Sequence, residues 1–137
     1  MRYYNSILET IGATPLVRLN RVSAGLKPLI LAKVEFFNPG GSVKDRIGIG
    51  LIESMERSGQ LKPGGTIVEP TSGNTGAGLA IAAVIKGYRM ICVMTDKVAE
   101  EKRSLLRAYG AEVVICPSSA AHGDADHYQT VAARLAR

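Results

Sequence analysis

Three short apolar runs alternate with helix-like stretches in the second half of the 137-residue chain. TIVEP, RMICVM and AEVVIC carry almost no interior polar positions, which is typical of strands buried on both faces of a parallel sheet. The stretches between them stop at Gly87 and Gly110, as helices commonly do. The predicted helices cover about 43–57, 75–86, 99–109 and 124–137. The pattern therefore predicts an α/β fold built from βα units with right-handed crossovers.

Two further apolar runs precede the first predicted helix. They are LVRL at 16–19 and LILAKVEF at 29–36. Gly25 and Pro28 lie between them, and turn-forming residues at this spacing indicate an antiparallel hairpin.

The change from a hairpin to alternating strands and helices divides the chain. We expect residues 1–41 to form an N-terminal segment whose hairpin joins a larger domain, and residues 42–137 to form a small α/β domain. The last predicted helix, ending VAARLAR, has no Gly or Pro stop signal. We therefore expect the sequence to be the N-terminal part of a longer fold.

Charge and composition narrow the possible function classes. The chain has 17 Lys and Arg against 12 Asp and Glu, yet no basic run exceeds two residues and Trp is absent. This is not typical of a nucleic-acid-binding surface. No apolar run approaches the ~20 residues of a membrane span, and no secretory signal follows the N-terminus, so we expect a cytoplasmic protein without a membrane partner.

Cysteine and histidine show no metal-ligand spacing. Cys92 and Cys116 lie singly in apolar runs, which favours buried, reduced thiols. His122 and His127 flank two aspartates in AHGDADHYQ, but such a polar stretch is more typical of a solvated loop leading into a helix. No metal site is predicted.

A polar, glycine-rich segment follows TIVEP. It reads TSGNTGAG at 71–78 and opens a predicted helix, where exposed N–H groups and the helix dipole favour an anion such as a carboxylate or phosphate. Its glycines follow G-x-x-G-x-G rather than the dinucleotide pattern G-x-G-x-x-G, and no Lys-Ser or Lys-Thr completes a P-loop. The alternative is an ordinary helix cap, although a cap needs only one hydroxyl.

A second cluster, NPGGSVKDR at 38–46, precedes the first predicted helix. Ser42 followed three residues later by Asp45 is typical of a capping box. That assignment puts Lys44 in the first turn, where its charge opposes the helix dipole. A residue that breaks such a local rule is a candidate for function, here as a nucleophile toward carbonyl groups. The alternative is a solvated surface lysine.

Together, NPGGSVKDRIG and EPTSGNTGAGLA resemble the paired motifs of the pyridoxal-phosphate-dependent family of fold type II, which includes cysteine synthase and cystathionine β-synthase. The resemblance extends over essentially the whole chain. It implies the parallel βαβ sheet of the tryptophan synthase β-subunit-like fold, of which this chain would be the N-terminal part. It also implies pyridoxal 5′-phosphate as the cofactor.

The same resemblance implies roles for individual residues. Lys44 would be the catalytic residue that forms the Schiff base with the cofactor, and Asn74 would lie against the pyridine ring. The substrate carboxylate would be held by Thr71, Ser72, Gly73 and Thr75. The family's phosphate-binding loop and the partner of the pyridine nitrogen are not found among these residues.

Two later stretches, TDKVAEEKRSLLRAYGAEVVICP and HYQTVAARLAR, look closer to bacterial cystathionine β-synthases. The resemblance then implies an enzyme that condenses serine, or an activated serine, with homocysteine. It also implies small amino-acid and thiol substrates, and a homodimer in the full-length enzyme. Cysteine synthase chemistry, O-acetylserine with sulfide, is the alternative. An alternative of another class is a non-catalytic binding or assembly module that retains the fold.

Overall fold

The computed structural model describes Met1 and residues 3–137. The strands are β1 Leu16–Arg18, β2 Leu31–Lys33, β3 Thr66–Pro70, β4 Arg89–Thr95 and β5 Glu112–Cys116. The helices are α1 Lys44–Arg57, α2 Asn74–Ile85, α3 Glu100–Ala108 and α4 Tyr128–Leu135. Two short 3-10 helices, Ile7–Thr10 and Glu35–Phe37, lie before β1 and after β2.

The predicted parallel sheet is present, with β4 between β3 and β5. Ile67 of β3 pairs with Met90, and Ile91 of β4 pairs with Glu112, in parallel register. Strand and helix alternate through β3, α2, β4, α3 and β5. All three strands carry the apolar runs from which they were predicted, so the α/β pattern of this region is confirmed.

The core lies on both faces of β4 because its side chains alternate between them. Met90, Cys92 and Met94 belong to a cluster with the buried residues of α2, Ile52 of α1 and Leu106 of α3. Ile91 and Val93 belong to a second cluster with α4. The sheet is therefore covered by helices on both faces, as its uninterrupted apolar strands require.

The hairpin forms, but its second strand is shorter than predicted. Leu16 pairs with Lys33 in antiparallel register, and β2 ends there instead of continuing to Phe36. Residues 35–37 turn into a 3-10 helix, in which the Phe37 N–H donates to the Val34 carbonyl oxygen over 3.3 Å. The apolar pattern continues past β2 although the strand does not.

The last helix begins later than predicted. Asp124 does not cap it, because the Asp124 carboxylate accepts the Ala121 N–H over 2.8 Å in a preceding turn. The His127 N–H donates to the Asp124 carbonyl oxygen over 3.1 Å, and α4 starts at Tyr128. The polar residues before it form turns.

Candidate functional site

Lys44 is the first residue of α1 and follows a tight turn. The Gly41 N–H closes the turn by donating to the Asn38 carbonyl oxygen over 2.8 Å, and Gly41 has a φ of 76°, a conformation that favours glycine. The Lys44 N–H donates to the Ser42 hydroxyl over 3.1 Å. The Lys44 side chain is half-buried, and its ammonium has no hydrogen-bond or ion-pair partner among the residues that the structure describes.

Asp45 does not complete the predicted capping box. Its Oδ2 atom accepts the Gly40 N–H over 2.5 Å instead of that of Ser42, and no side chain caps α1 at Val43. Asp45 is 1% exposed, and burial raises the pKa of its carboxyl. A Cβ at position 40 would lie 2.5 Å from Asp45 Oδ1, so any larger residue there would displace this buried carboxylate. The capping-box prediction is therefore wrong, and Asp45 fixes the turn before Lys44.

Arg46 connects the first turn of α1 to the N-terminal segment. Its Nε and Nη2 atoms donate to the two carboxylate oxygens of Glu35 over 2.8 and 3.0 Å. Nη2 also donates to the Gly12 carbonyl oxygen over 2.9 Å. The hydrogen-bonded Arg46 guanidinium lowers the pKa of Glu35 to about 2. Such a bidentate contact fixes orientation as well as distance.

Asn38 is the second anchor of this network and is 3% exposed. Its side-chain oxygen accepts the Gly12 N–H over 2.8 Å. Its amide nitrogen donates to the carbonyl and carboxylate oxygens of Glu35 over 2.8 and 2.9 Å. Sequence reasoning gave neither Asn38 nor Glu35 a role. The available signal was an amide directly before Pro-Gly-Gly, where Asn commonly bonds to nearby backbone.

The predicted carboxylate-binding residues in the segment after β3 fall into two groups, one buried and one accessible. Thr71 is buried, and its hydroxyl accepts the Gly73 N–H over 3.4 Å. Gly76 packs against it, since a Cβ on Gly76 would lie 2.5 Å from Thr71 Cγ2. The more accessible members are Ser72, Gly73 and Asn74, which are exposed, and Thr75, which is half-buried. Thr71 thus shapes the segment from inside, while its neighbours are open to a ligand.

The start of α2 has no side-chain cap. Gly73 is the N-cap, with a φ of −141°, and no described atom lies within 4 Å of a Cβ built on it. Neither backbone conformation nor crowding among the described residues therefore requires glycine, whereas the close approach of a ligand would. An uncapped helix start in an exposed segment can bind a carboxylate through its N–H groups.

Helices α1 and α2 touch through two glycines. A Cβ on Gly48 would lie 2.4 Å from the Gly78 carbonyl carbon, and a Cβ on Gly78 would lie 2.6 Å from the Lys44 carbonyl oxygen. Gly78 is one turn beyond Asn74 on the same face of α2. The contact therefore brings the Lys44 backbone to the helix face that carries Asn74.

Ser72 borders cavities at the carboxyl ends of β3 and β4. One, of about 410 Å³, is lined by Ser72, Thr95, Lys97, Val98, Ala99 and Lys102. Another, of about 170 Å³, is lined by Thr71, Ser72, Met94, Thr95 and Tyr128. Sequence reasoning missed Lys97, Lys102 and Tyr128. They line the same cavities as Ser72 although they lie far from it in the sequence, and the one signal for the lysines was their place after a predicted strand.

Two titratable groups on the paired strands β3 and β4 are shielded from water, Cys92 fully and Glu69 in part. Cys92 is fully buried, and burial raises the pKa of its thiol to about 12, with Glu69 on the paired strand adding to the shift. Burial also raises the pKa of the Glu69 carboxyl. Cys92 and Cys116 are both free and buried, as expected from the sequence. Such thiols are protonated and unreactive near neutral pH.

Met1 and residues 3–137 contain neither a cluster of metal ligands nor a helix that could span a membrane. Within them, no three or more His, Cys, Asp or Glu side chains are grouped so that they could hold a metal ion. No helix in this part of the chain has the length and apolar character needed to cross a membrane. The rings of His122 and His127 lie 5.3 Å apart, beside the turn formed by Asp124.

Comparison with known proteins decides the family. A family model described as "Pyridoxal-phosphate dependent enzyme" matches residues 7–137. The chain belongs to this family. The resemblance inferred from the two motifs is confirmed, and with it the pyridoxal phosphate cofactor.

Curated relatives of the chain include cystathionine β-synthases and a cysteine synthase. The cystathionine β-synthase of Rattus norvegicus is 59% identical over 131 residues, which are 94% of this chain and 23% of that protein. That of Dictyostelium discoideum is 51% identical over 131 residues, 96% of this chain and 26% of the relative. The cysteine synthase of Staphylococcus aureus is 50% identical over 117 residues, which are 85% of this chain and 38% of that protein. The chain thus spans about a quarter of the length of the cystathionine β-synthases it matches.

Solved structures of the same fold are also similar. An O-ureido-L-serine synthase superposes with a TM-score of 0.84 and 46% identity, over 98% of this chain and 42% of that one. A cysteine synthase from Entamoeba histolytica superposes with a TM-score of 0.80 and 42% identity, over 85% of this chain and 36% of that one. The predicted fold class, the α/β fold of type II pyridoxal-phosphate enzymes, is confirmed.

Proposed function

We propose that the full-length protein catalyses pyridoxal-phosphate-dependent β-replacement of the cystathionine β-synthase type, joining serine and homocysteine. The observation that carries this proposal is the Lys44 ammonium at the start of α1, which has no partner among the described residues. The backbone carbonyl of Lys44 packs against Gly78, on the α2 face that bears Asn74. Similarity to cystathionine β-synthases supports the choice of substrates. In this reaction the Cβ–O bond of serine breaks, the Cβ–S bond forms, and the hydroxyl leaves as water with the thiol proton.

The residues present fit the cofactor. Pyridoxal phosphate is an aldehyde, and Lys44 offers a primary amine without a partner among the described residues. Asn74 is exposed on the adjoining helix face, where it would contact the ring. When bound, the cofactor supplies an electron sink that makes the serine Cα–H acidic. Lys44 Nζ would be the base that takes this proton and returns it to Cα.

We propose that Thr71–Thr75 binds the α-carboxylate of serine. Ser72, Gly73 and Thr75 would donate through hydroxyl and backbone N–H groups, at the positive end of the α2 dipole. Thr71 would hold the segment in shape through its buried hydroxyl. Anchoring the carboxylate fixes the serine Cα relative to Lys44, so that binding energy is used for orientation.

A product assay on the full-length protein tests the reaction. We expect kcat/KM for serine with homocysteine, measured as cystathionine, to exceed that for O-acetylserine with sulfide, measured as cysteine. Formation of neither product would contradict an enzymatic function and favour a non-catalytic binding or assembly module.

Cysteine synthase activity is the second candidate. It is favoured by the 50% identity to the cysteine synthase of Staphylococcus aureus and by the similarity to the Entamoeba histolytica structure. The same assay separates the two candidates. A preference of about tenfold or more for the acetylated substrate, about 1.4 kcal/mol, would make cysteine synthase the correct assignment.

The role of Lys44 has its own test. After borohydride reduction of the cofactor-loaded protein, peptide mapping should find the pyridoxyl group on Lys44. Lys33 and Lys62, both exposed, serve as internal controls and should remain unmodified. Stoichiometric label on either of them, with none on Lys44, would contradict the assignment.

We further propose a cytoplasmic homodimer in which residues 1–41 join a larger domain and residues 42–137 form the small one. One observation supports the division into domains and another supports the compartment, whereas the homodimer follows from the family resemblance. Among the described residues β1 and β2 pair only with each other and leave Leu16 exposed, and the two free cysteines suit a reducing compartment. Sedimentation velocity of the full-length protein would show a monomer if the proposed dimer is wrong, and cell fractionation tests the compartment.

A further inference from the structure

The cavity of about 410 Å³ beside Ser72 is lined by two cationic side chains that bind neither the cofactor nor the serine carboxylate in the proposed reaction. Lys97 lies in the connection after β4, and Lys102 lies in the first turn of α3. Both are exposed. Lys102 also borders a small space of about 30 Å³ shared with Ser72, Gly73 and Asn74. The two lysines therefore adjoin the segment proposed to bind the serine carboxylate.

The charge of these lysines is available to a ligand. Among the described residues the side-chain ammonium of Lys102 has no hydrogen-bond or ion-pair partner. Lys97 is attracted by the adjacent Asp96 but forms no ion pair with it. Asp96 is itself engaged, because its Oδ1 atom accepts the Ser118 N–H over 3.1 Å.

The acidic residues of α3 do not neutralise the cavity. Glu100 binds Arg103 and Arg107 over 3.3 and 2.8 Å, so its charge is compensated on its own helix. Glu101 forms no ion pair with Lys102, its neighbour in sequence, because adjacent residues of a helix do not face each other. The cavity is therefore suited to a small anion.

We infer that Lys97 and Lys102 bind the carboxylate of the amino-acid thiol that acts as the sulfur nucleophile, an inference that rests on the proposed β-replacement. That reaction brings two amino acids together, so the site must hold two carboxylates, and Thr71–Thr75 accounts for one. Ser72 borders both the small space at the start of α2 and the cavity that contains the two lysines. The second carboxylate needs cations of its own because the first one repels it at this range.

This arrangement would select the sulfur nucleophile. Homocysteine carries a carboxylate at a fixed distance along its chain from the thiol, and the two lysines can hold it while the thiol faces the serine Cβ. Sulfide has no carboxylate and gains nothing from Lys97 or Lys102. The lysines would therefore favour amino-acid thiols over sulfide by attraction to one of the two competitors.

Lys97→Gln and Lys102→Gln in the full-length holoenzyme test the inference. Lys62→Gln is the matched control, an exposed lysine near the amino end of β3, at the opposite end of the sheet. In both test variants the KM for homocysteine should rise about tenfold or more, as expected from losing a charge-assisted contact. The KM for serine should stay unchanged, and so should kcat/KM in the reaction of O-acetylserine with sulfide. Arginine at either position should restore most of the homocysteine affinity.

Several outcomes would overturn the inference while β-replacement stands. One is an equal loss of kcat/KM with homocysteine and with sulfide in the variants, and another is no change with either nucleophile. A third is a wild type that turns over sulfide but not homocysteine. A fourth is a variant in which only the KM for serine rises. The last would assign the lysines to the first carboxylate. Failure of β-replacement itself looks different, because the wild-type protein would then form neither cystathionine nor cysteine before any lysine is changed.

Discussion

Neighbouring residues with the same chemical group have different tasks in this molecule. Thr71 and Ser72 both carry a hydroxyl, yet that of Thr71 is buried and accepts the Gly73 N–H, whereas Ser72 is exposed at the start of α2. Burial, rather than residue type, therefore distinguishes a hydroxyl that shapes the segment from one that a ligand can reach.

Ser72→Ala should weaken serine binding by about 1.5–3 kcal/mol, the contribution of one hydrogen bond to a charged group. Cofactor content should not change. Spectral titration of the full-length holoenzyme with serine measures the first quantity, and cofactor absorbance per chain measures the second. Ser58→Ala at the exposed end of α1 is the control and should affect neither. Loss of cofactor with unchanged serine affinity would place the cofactor phosphate, not the carboxylate, at this segment.

The Cys92 thiol should not react in the native protein. It is fully buried and has a pKa of about 12, so thiolate is scarce even in mildly alkaline solution. Cys116 is also buried and its pKa is raised, mainly by burial. We expect a thiol-specific reagent to label both residues only after denaturation. Rapid labelling of Cys92 in the native protein would contradict the packing around β4.

At the scale of elements, the approach of α1 to α2 depends on where glycine lies. A Cβ on Gly48 would meet the backbone of Gly78, whereas one on Gly50, two residues later in the same helix, would meet nothing within 4 Å. The helix thus holds one glycine that a close contact requires and another that no described contact explains. Because the Lys44 carbonyl lies against Gly78, this contact also sets the position of Lys44.

Gly48→Ala should lower the free energy of unfolding by about 1–3 kcal/mol, the usual effect of overpacking. It should also reduce cofactor occupancy, since α1 carries Lys44. Gly50→Ala is the matched control, and should be neutral or stabilising by up to about 1 kcal/mol because Ala is the better helix former. Urea unfolding measures the free energy of unfolding of the two variants, and cofactor absorbance per chain measures their cofactor occupancy. Equal stability of both would contradict the glycine contact.

The elements that sequence reasoning predicted best are those that local pattern determines. The strands of the parallel sheet are buried on both faces, so their apolar runs appear directly in the sequence. The predicted strand at 29–36 ran too long because its end depends on a distant partner. The Glu35 carboxylate is held by Arg46 from α1 and Thr14 from before β1. No local pattern contains that information.

The candidate site shows the same division. Lys44 and the start of α2 were found because each lies in a short motif with unusual local chemistry. Lys97 and Lys102 were not found, because the pairing of β3 with β4 brings them beside Ser72. The sequence predicted the residues of each motif, whereas the register of the sheet determines which further residues join them.

For the whole molecule, one hydrogen-bonded network fastens the N-terminal segment to the α/β region. Arg46 and Asn38 reach Gly12, and both also bind Glu35. Thr14 adds a hydroxyl that donates to the Glu35 carboxylate over 2.8 Å. The ionised carboxylate of Glu35 is the common acceptor, so the network depends on its charge.

The network should weaken in acid. The pKa of Glu35 is lowered from 4.5 to about 2, so folding favours the ionised form. By linkage, its contribution is fully present above pH 4.5 and is lost as the pH falls to about 2. Wild type should therefore be more stable than Glu35→Gln above pH 4.5, with the difference shrinking below it. Urea unfolding across this range measures the difference, with the exposed Glu53→Gln as control. A difference independent of pH would contradict the assignment.

Strand β4 is paired along both of its edges and buried from 90 to 94, whereas the β1–β2 ladder spans three residues per strand and is largely exposed. Amide hydrogens should therefore exchange with deuterium first in the hairpin, by local opening, and last at 91–93, where the whole sheet must separate. The turn before Lys44 lies between these extremes, since Arg46 ties it to the N-terminal segment and Gly78 ties it to α2. A partly opened molecule that has released the hairpin would keep its sheet closed while the Lys44 turn gains freedom, so affinity for the cofactor would fall before the fold is lost.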